Sequence, residues 1–340
     1  MRPAAASERD VWSPDPDPLV AALERSMTAL GTTYLYHVHR DLHRVLGLPS
    51  LPADLIRSTY HVETLAKASQ AEARRRALER AQRLFQERLA GYAPGDVPPE
   101  AYRDLVRVIT EEWYGRGKLE TRAQQRAVAS YIVGLVQGGY ALRVRPEVML
   151  ERYTGLLGER HAARIEFARA RAAEHVRFLD DQTRHAILQT IYAWEEDRRQ
   201  PIDLARALAD RFGVLNRDWR RVALTETARN RSAGFIAALP EGALVEWSAA
   251  RDACDKCRAL HGRRFTVVHP GPGDPKLDVW VGKNPIGRRD PVEHAAIPLH
   301  PHCRCRWILV THAGTPTDRG AEADPDFEEK LQALIAAASK

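Results

Sequence analysis

The 340-residue sequence is poor in several residue types that would otherwise set its class. It has four cysteines, too few for a disulfide framework, and all of them lie between positions 254 and 305. Seven of its 51 basic residues are lysine, so arginine, with its forked bidentate donors, carries most of the positive charge. The net charge of +6 is mild. It permits contact with nucleic acid but does not require it.

Long hydrophobic runs are missing as well. No stretch approaches the roughly 18 consecutive apolar residues of a transmembrane helix, and the first residues lack the apolar segment of a secretory signal. We therefore expect no membrane partner and a reducing, cytoplasmic setting. In such a setting clustered cysteines bind metal more often than they form disulfides.

Sequence motifs of common enzymes are also missing. The chain has no GxxxxGK[ST] phosphate loop, no GxSxG elbow, no GxGxxG after a strand and no HExxH. We accordingly predict a protein that is not an enzyme, with no catalytic residue and no small-molecule substrate.

The patterns that are present predict a mainly α protein, in which a long helical N-terminal region precedes a small α+β module braced by zinc. The predicted divisions are a flexible arm (1–18), a helical N-terminal region (19–150), a second helical region (151–242), the α+β module (243–312) and an acidic tail with a terminal helix (313–340). Prolines alternating with aspartates in the arm disfavour a helix.

Glycines set the predicted helix boundaries. The first helix is predicted over Leu19–Leu46 and ends at Gly47, ahead of a proline. Further helix ends are predicted at Gly138–Gly139 and at Gly213, because glycine destabilises a helix interior.

The strongest chemical signal is a pair of cysteine-containing turns. Cys254 and Cys257 form a CxxC turn, and His300 and Cys303 repeat the same two-residue gap after 42 intervening residues. Two such turns are typical of a closed, four-coordinate structural zinc site, which has no open position for water. Cys305 is the alternate fourth ligand, and His302 and His261 are further candidates. A disulfide, no metal at all, or a catalytic metal are the other interpretations.

A second feature is a polar cluster on one helix face. Glu226, Arg229 and Asn230 follow one another at i, i+3 and i+4, so they share that face. We interpret them as a structural cluster, an ion pair at the helix surface plus a buried polar strut against the zinc module. Recognition of a partner or ligand is the alternative.

Three histidines lie close together on the first helix. His37, His39 and His43 could form a weak metal-binding face. A lone histidine cluster is more often at the surface, so we interpret them as surface residues.

Positive charge is concentrated around the cysteines. Residues 251–311 contain eleven bases and six acids. Seven arginines there are candidate phosphate contacts, without sequence specificity: Arg258, Arg263, Arg264, Arg288, Arg289, Arg304 and Arg306. A solvated surface is the alternative.

In this order, the residues resemble the Mu F-like phage minor head protein family, also called the phage head-morphogenesis family. The resemblance covers roughly residues 150–311. It is carried by Thr225-Glu226, Asn230, the turn Asp252…Cys254…Cys257, Gly262, and His300-Pro301…Cys303-Arg304-Cys305. The family usually has Asn at the position of His302, and the loop 270–298 is longer than is typical there.

The resemblance implies a structural component of a tailed phage. Such a protein associates with the portal or inner capsid, aids head assembly and DNA packaging or delivery, and is found in the virion after assembly in the host cytoplasm. Its expected partners are the portal protein, the major capsid protein and, non-specifically, packaged DNA. The alternatives are a zinc-supported nuclease with His261, His294 or His302 as general base, and a zinc-dependent DNA-binding protein.

Overall fold

The computed structural model describes residues 17–50, 52–60, 97–115, 118–142, 159–197, 200–267 and 297–310, with a few single positions between 79 and 92. Its helices are α1 (Pro18–Val45), α2 (Ala53–Tyr60), α3 (Pro99–Tyr114), α4 (Leu119–Ala141), α5 (Glu159–Asp197), α6 (Pro201–Ala238) and α7 (Asp255–Leu260). Its strands are β1 (Leu244–Ser248), β2 (Arg264–Thr266) and β3 (Arg306–Leu309). The predicted fold class, mainly α with a small α+β module, is confirmed. Among the described residues, no helix has both the length and the apolar character that a membrane crossing needs.

The chain forms two compact units, and neither is one continuous stretch of sequence. The first unit takes its described residues from Met1–Met27, Gln124–Ala172 and Arg221–Lys340, and the second from Thr28–Ala123 and Ala173–Arg220. Each unit is therefore assembled from segments far apart in the chain, which periodicity along the sequence does not reveal.

The ends of α1 follow directly from local sequence. Asp17 caps the helix, since its Oδ1 accepts the backbone N–H groups of Leu19 and Val20 at 2.9 and 3.3 Å. Pro18 is the first helical residue, where its missing N–H costs nothing. At the other end Gly47 has a φ of +64°, and Leu48 N–H donates to the His43 carbonyl at 2.9 Å. This is the glycine stop predicted at Gly47. Of the predicted arm, residues 1–16 lie outside the described part.

The break predicted at Gly138–Gly139 is wrong, because α4 continues to Ala141. The reason lies in the packing of α4 against α6 within the first unit. A Cβ at Gly134 would lie 1.9 Å from the Arg231 carbonyl oxygen, and one at Gly138 would lie 2.7 Å from the Ala238 Cβ. The glycines on α4 thus permit a close helix–helix approach rather than ending the helix.

The stop predicted at Gly213 is also wrong, since α6 runs unbroken from Pro201 to Ala238. Neighbouring residues secure this stretch within the second unit. Phe212 is buried, and Asn216 donates to the Thr59 carbonyl at 3.1 Å and accepts from the Thr32 hydroxyl at 2.6 Å. A mid-helix glycine costs about 1 kcal/mol, which such packing and hydrogen bonding can offset.

The small sheet is antiparallel with strand order β2-β1-β3. Its strands agree with the stretches Leu244–Trp247, Arg263–Val268 and Arg306–Thr311, whose alternating or β-branched residues predict strands. Its inner face places Trp247 edge-on to Trp307, with ring centroids 5.3 Å apart. The surrounding core includes Cys257, Cys303 and Cys305. Side chains of α4 and α6, among them Phe235, pack against the same core.

Candidate metal centre

The first pair of cysteines is positioned by the short helix α7. Cys254 is exposed, with extended backbone just before the helix, and its carbonyl accepts the Arg258 N–H at 2.9 Å. Cys257 lies in the first turn and is fully buried. The CxxC turn therefore presents one thiol at the surface and one in the core.

The second pair of ligands comes from the turn ahead of β3. The Cys303 N–H donates to the His300 carbonyl at 3.1 Å, which closes the turn. His300 Nδ1–H donates to the Pro301 carbonyl at 2.7 Å. The hydrogen bond leaves Nε2 with its lone pair directed at the cysteines, the orientation that ligating histidines generally need.

The structure brings five of the seven candidate ligands together, and we call Cys254, Cys257, His300, Cys303 and Cys305 the metal centre. His300 Nε2 lies 3.2 Å from Cys254 Sγ and 3.3 Å from Cys257 Sγ, and Cys257 Sγ lies 3.8 Å from Cys303 Sγ. Two sulfurs bound tetrahedrally to zinc at about 2.3 Å are about 3.8 Å apart. The five residues therefore can hold a metal ion.

The metal centre consists of two overlapping triads. Cys254, Cys257 and His300 form one, and Cys257, Cys303 and Cys305 form the other, with ligand atoms within 4.8 Å of one another in each. Cys257 belongs to both triads, so it is the residue on which the whole centre depends. The 3.8 Å separation favours Cys303 as the fourth ligand, with Cys305 buried beside it.

The buried thiols influence one another's protonation. Hydrogen bonds with Cys257 and Cys305 hold the pKa of the Cys303 thiol well below its ordinary value. The hydrogen bond to Cys303 in turn raises the pKa of the Cys257 thiol. Three thiols this close cannot all ionise without a counterion, whereas a bound cation would stabilise several thiolates together.

His302 occupies a strained position in the ligand turn. Its φ is +63°, a left-handed conformation that few side chains adopt and that Asn and His tolerate best. The Asn that the resembling family usually has at this position suits the same backbone. The Nε2 atom of His302 accepts the Arg221 Nε–H at 3.4 Å.

Two further histidines were named as ligand or base candidates. His261 Nδ1 accepts the Ala249 backbone N–H at 3.2 Å. Neither His261 nor His302 joins a group of ligands within the described residues. His294 lies outside the part of the chain that the structure describes.

The seven candidate phosphate contacts have different surroundings. Arg258 pairs with Asp255 at the surface, and Arg264 lies 3.4 Å from Glu246. Arg263 and Arg306 are exposed, whereas Arg288 and Arg289 lie outside the described residues.

Arg304 is not part of this surface. Its side chain is 12% exposed and its Nη1 lies 3.2 Å from the Glu24 carboxylate. As a buried ion pair it is removed from the candidate phosphate contacts.

The polar cluster on α6 is buried in the first unit rather than exposed at a helix surface. The Glu226 carboxylate accepts from Arg229 Nη1 at 2.9 Å and from Arg171 Nε of α5 at 3.2 Å. Burial lowers the pKa of the Arg229 guanidinium to about 9, and Asn230 is buried beside them. These contacts join α5 to α6, as a structural role would require.

The three histidines of α1, here called the histidine cluster, are not surface residues as predicted. His37 and His39 are each 4% exposed, and His43 is partly buried. His37 stacks on Trp113 and His39 on Phe212, with ring centroids 4.0 and 4.5 Å apart. Within the described part of the chain they do not form a metal-binding group.

Comparison of the chain with protein-family models gives no match. Searches of curated proteins and of solved structures likewise give no match. Function therefore has to be inferred from the chain's own residues and their geometry.

Proposed function

We propose that this protein is a structural component of a phage head, a minor head protein whose C-terminal module is closed by one zinc ion. The observation that carries the proposal is the convergence of Cys254 and Cys257 with His300 and Cys303. Sulfur and nitrogen ligands of this kind favour zinc over magnesium or calcium. The order of the motifs around these residues supports the phage family.

A structural role for the zinc is supported by the burial of three of the four cysteines around it. Cys257, Cys303 and Cys305 are at most 3% exposed and belong to the same core as Trp247 and Trp307. A catalytic zinc keeps an open position for water, but Cys254, Cys257, His300 and Cys303 together would fill a tetrahedral coordination sphere. Binding the ion would then stabilise the module directly.

The metal assignment is tested by zinc content and thiol accessibility of the purified chain. We expect one zinc per chain and thiols that react with a thiol reagent only after a chelator is added. A chain without zinc whose four thiols react at once would contradict the assignment.

The phage assignment needs a separate test. The resemblance implies that the portal is encoded beside this protein, so the chain is co-expressed with the portal and major capsid proteins of its own genome. We expect it to co-sediment with portal rings or with capsid shells, and to stay in the supernatant when both are omitted. Failure to associate with both would contradict the proposal.

The nuclease alternative is tested by incubating the chain with plasmid DNA and magnesium or manganese, in parallel with a His261→Ala/His302→Ala double variant. We expect no cleavage by either. Cleavage that disappears in the double variant would favour the nuclease.

A further inference from the structure

We infer that Glu24, on the first helix, is a positioning residue for metal binding, acting through its buried ion pair with Arg304. This inference deepens the proposed zinc centre and rests on it. Arg304 lies between Cys303 and Cys305, and Glu24 is 280 positions away in the chain.

The pair is well placed to hold the ligand turn. Arg304 Nη1 contacts both carboxylate oxygens of Glu24, at 3.3 and 3.2 Å. The two side chains are 12% and 7% exposed. Separating the two partners would leave a largely buried charge uncompensated. The Arg304 side chain is therefore held against Glu24, and this contact restrains the backbone at Arg304. Both flanking cysteines are restrained with it.

The two halves of the metal centre differ in this respect. Cys254 and Cys257 are held by their own short helix, and the arginine beside them, Arg258, pairs with Asp255 at the surface. The second half is held by contacts with long helices. Besides Glu24 of α1, Thr225 Oγ1 of α6 accepts the His302 N–H at 3.4 Å.

Positioning of this kind affects metal affinity rather than ligand identity. A tetrahedral site binds tightly only when both halves are already at the correct separation. Replacing residues that orient ligands typically lowers metal affinity 10- to 100-fold. We expect a loss of about that size for Glu24→Gln, although Glu24 is not a ligand.

The experiment measures zinc affinity of the full chain by competition with a chromogenic chelator, and the visible spectrum of the cobalt-substituted protein. Glu24→Gln is compared with wild type at a temperature where circular dichroism shows both to be folded. Arg304→Lys keeps the charge but loses the contact of Arg304 Nη1 with both Glu24 oxygens, and we expect it to weaken zinc binding as well. If Glu24→Gln does not fold, the zinc affinity of Arg304→Lys provides the test.

Two matched variants control for nearby charge and for general stability. Arg263→Gln removes an exposed arginine of the same module and should leave the affinity within about twofold. Glu226→Gln breaks another buried ion pair of the same unit, and it should weaken zinc binding far less than Glu24→Gln does.

Three results would overturn the inference. Zinc affinity within twofold of wild type in both Glu24→Gln and Arg304→Lys would overturn the role of Glu24 but not the zinc centre. An equal loss in Glu226→Gln would do the same. A wild-type chain that binds neither zinc nor cobalt would overturn the proposed zinc centre together with it.

Discussion

Two groups of side chains that commonly bind metals differ in this protein, because only one of them forms a metal centre. In the first unit, five cysteine and histidine side chains point their ligand atoms at one another. In the second unit, the histidine cluster is covered by aromatic rings, and His39 Nδ1 lies 2.6 Å from the Tyr60 hydroxyl. Ligand-type residues close in sequence are therefore not sufficient for a site. The turns that present them decide whether their ligand atoms converge.

The two groups also differ in protonation, because the histidine cluster is neutral and the thiols of the metal centre are ionisable. Burial lowers the pKa of His37 to about 4 and that of His39 to about 3, so both imidazoles are neutral at physiological pH. They stabilise the fold as apolar rings. The metal centre, by contrast, brings together thiols that a cation would ionise.

The largest expected effect comes from Cys257, which belongs to both triads. Cys257→Ser should abolish zinc binding and unfold the C-terminal module, because binding of a structural zinc ion contributes roughly 10 kcal/mol or more to folding. Zinc content and near-UV circular dichroism of the tryptophans measure both effects. His39→Gln, the matched change in the histidine cluster, should leave the zinc content unchanged. A Cys257→Ser chain with full zinc and an intact module would contradict the closed centre.

A second test separates the two candidates for the fourth ligand. Cys303→Ser should lose zinc at moderate chelator concentration, because Cys303 Sγ lies at the tetrahedral separation of 3.8 Å from Cys257 Sγ. Cys305→Ser should keep one zinc per chain, with affinity within about tenfold of wild type. Chelator competition measures both. The reverse order would make Cys305 the fourth ligand.

Acid should destabilise the second unit through the histidine cluster. A folded-state pKa of about 4 at His37 lies below the unfolded value of about 6.5, so the unfolded chain binds protons more readily. Stability is then complete above about pH 6.5 and falls as the pH decreases towards 4. For His37 the loss is on the order of 3 kcal/mol.

His37→Phe should remove this loss, since phenylalanine can keep the stack on Trp113 and does not titrate. Urea unfolding between pH 7.5 and 4, with chelator present throughout, compares the variant with wild type. The control is His185→Gln, which removes an exposed histidine of the same unit outside the cluster. An identical pH dependence in wild type and His37→Phe would show that His37 does not cause the acid loss.

The smallest effect is expected where charge lies at the surface of the metal module. The Arg258–Asp255 pair is exposed, with 60% of the arginine side chain accessible. Arg258→Gln removes this pair together with the hydrogen bond from Arg258 Nη1 to the Ala253 carbonyl at 2.6 Å. It should change the free energy of unfolding by about 1 kcal/mol and leave the zinc content at one per chain. A large loss of stability in thermal unfolding would show that Arg258 holds the CxxC turn.

Local sequence was enough to predict much of the fold. The end of α1 at Gly47 and the three strands agree with prediction, because caps and alternation act over a few neighbouring residues. The helix breaks at Gly138 and Gly213 were wrong for the opposite reason. Whether a glycine such as Gly138 ends a helix or admits a neighbouring helix depends on a partner such as Ala238, about 100 positions away.

The same distinction applies to the site. The spacing of Cys254, Cys257, His300 and Cys303 by itself determined that their ligand atoms could meet, since two short turns need only one returning loop. Only the tertiary structure decided that Arg304 is buried against Glu24 and that His37 and His39 lie in a core. Burial of a polar side chain depends on which distant segment packs over it, and the spacing of neighbouring residues does not indicate that segment.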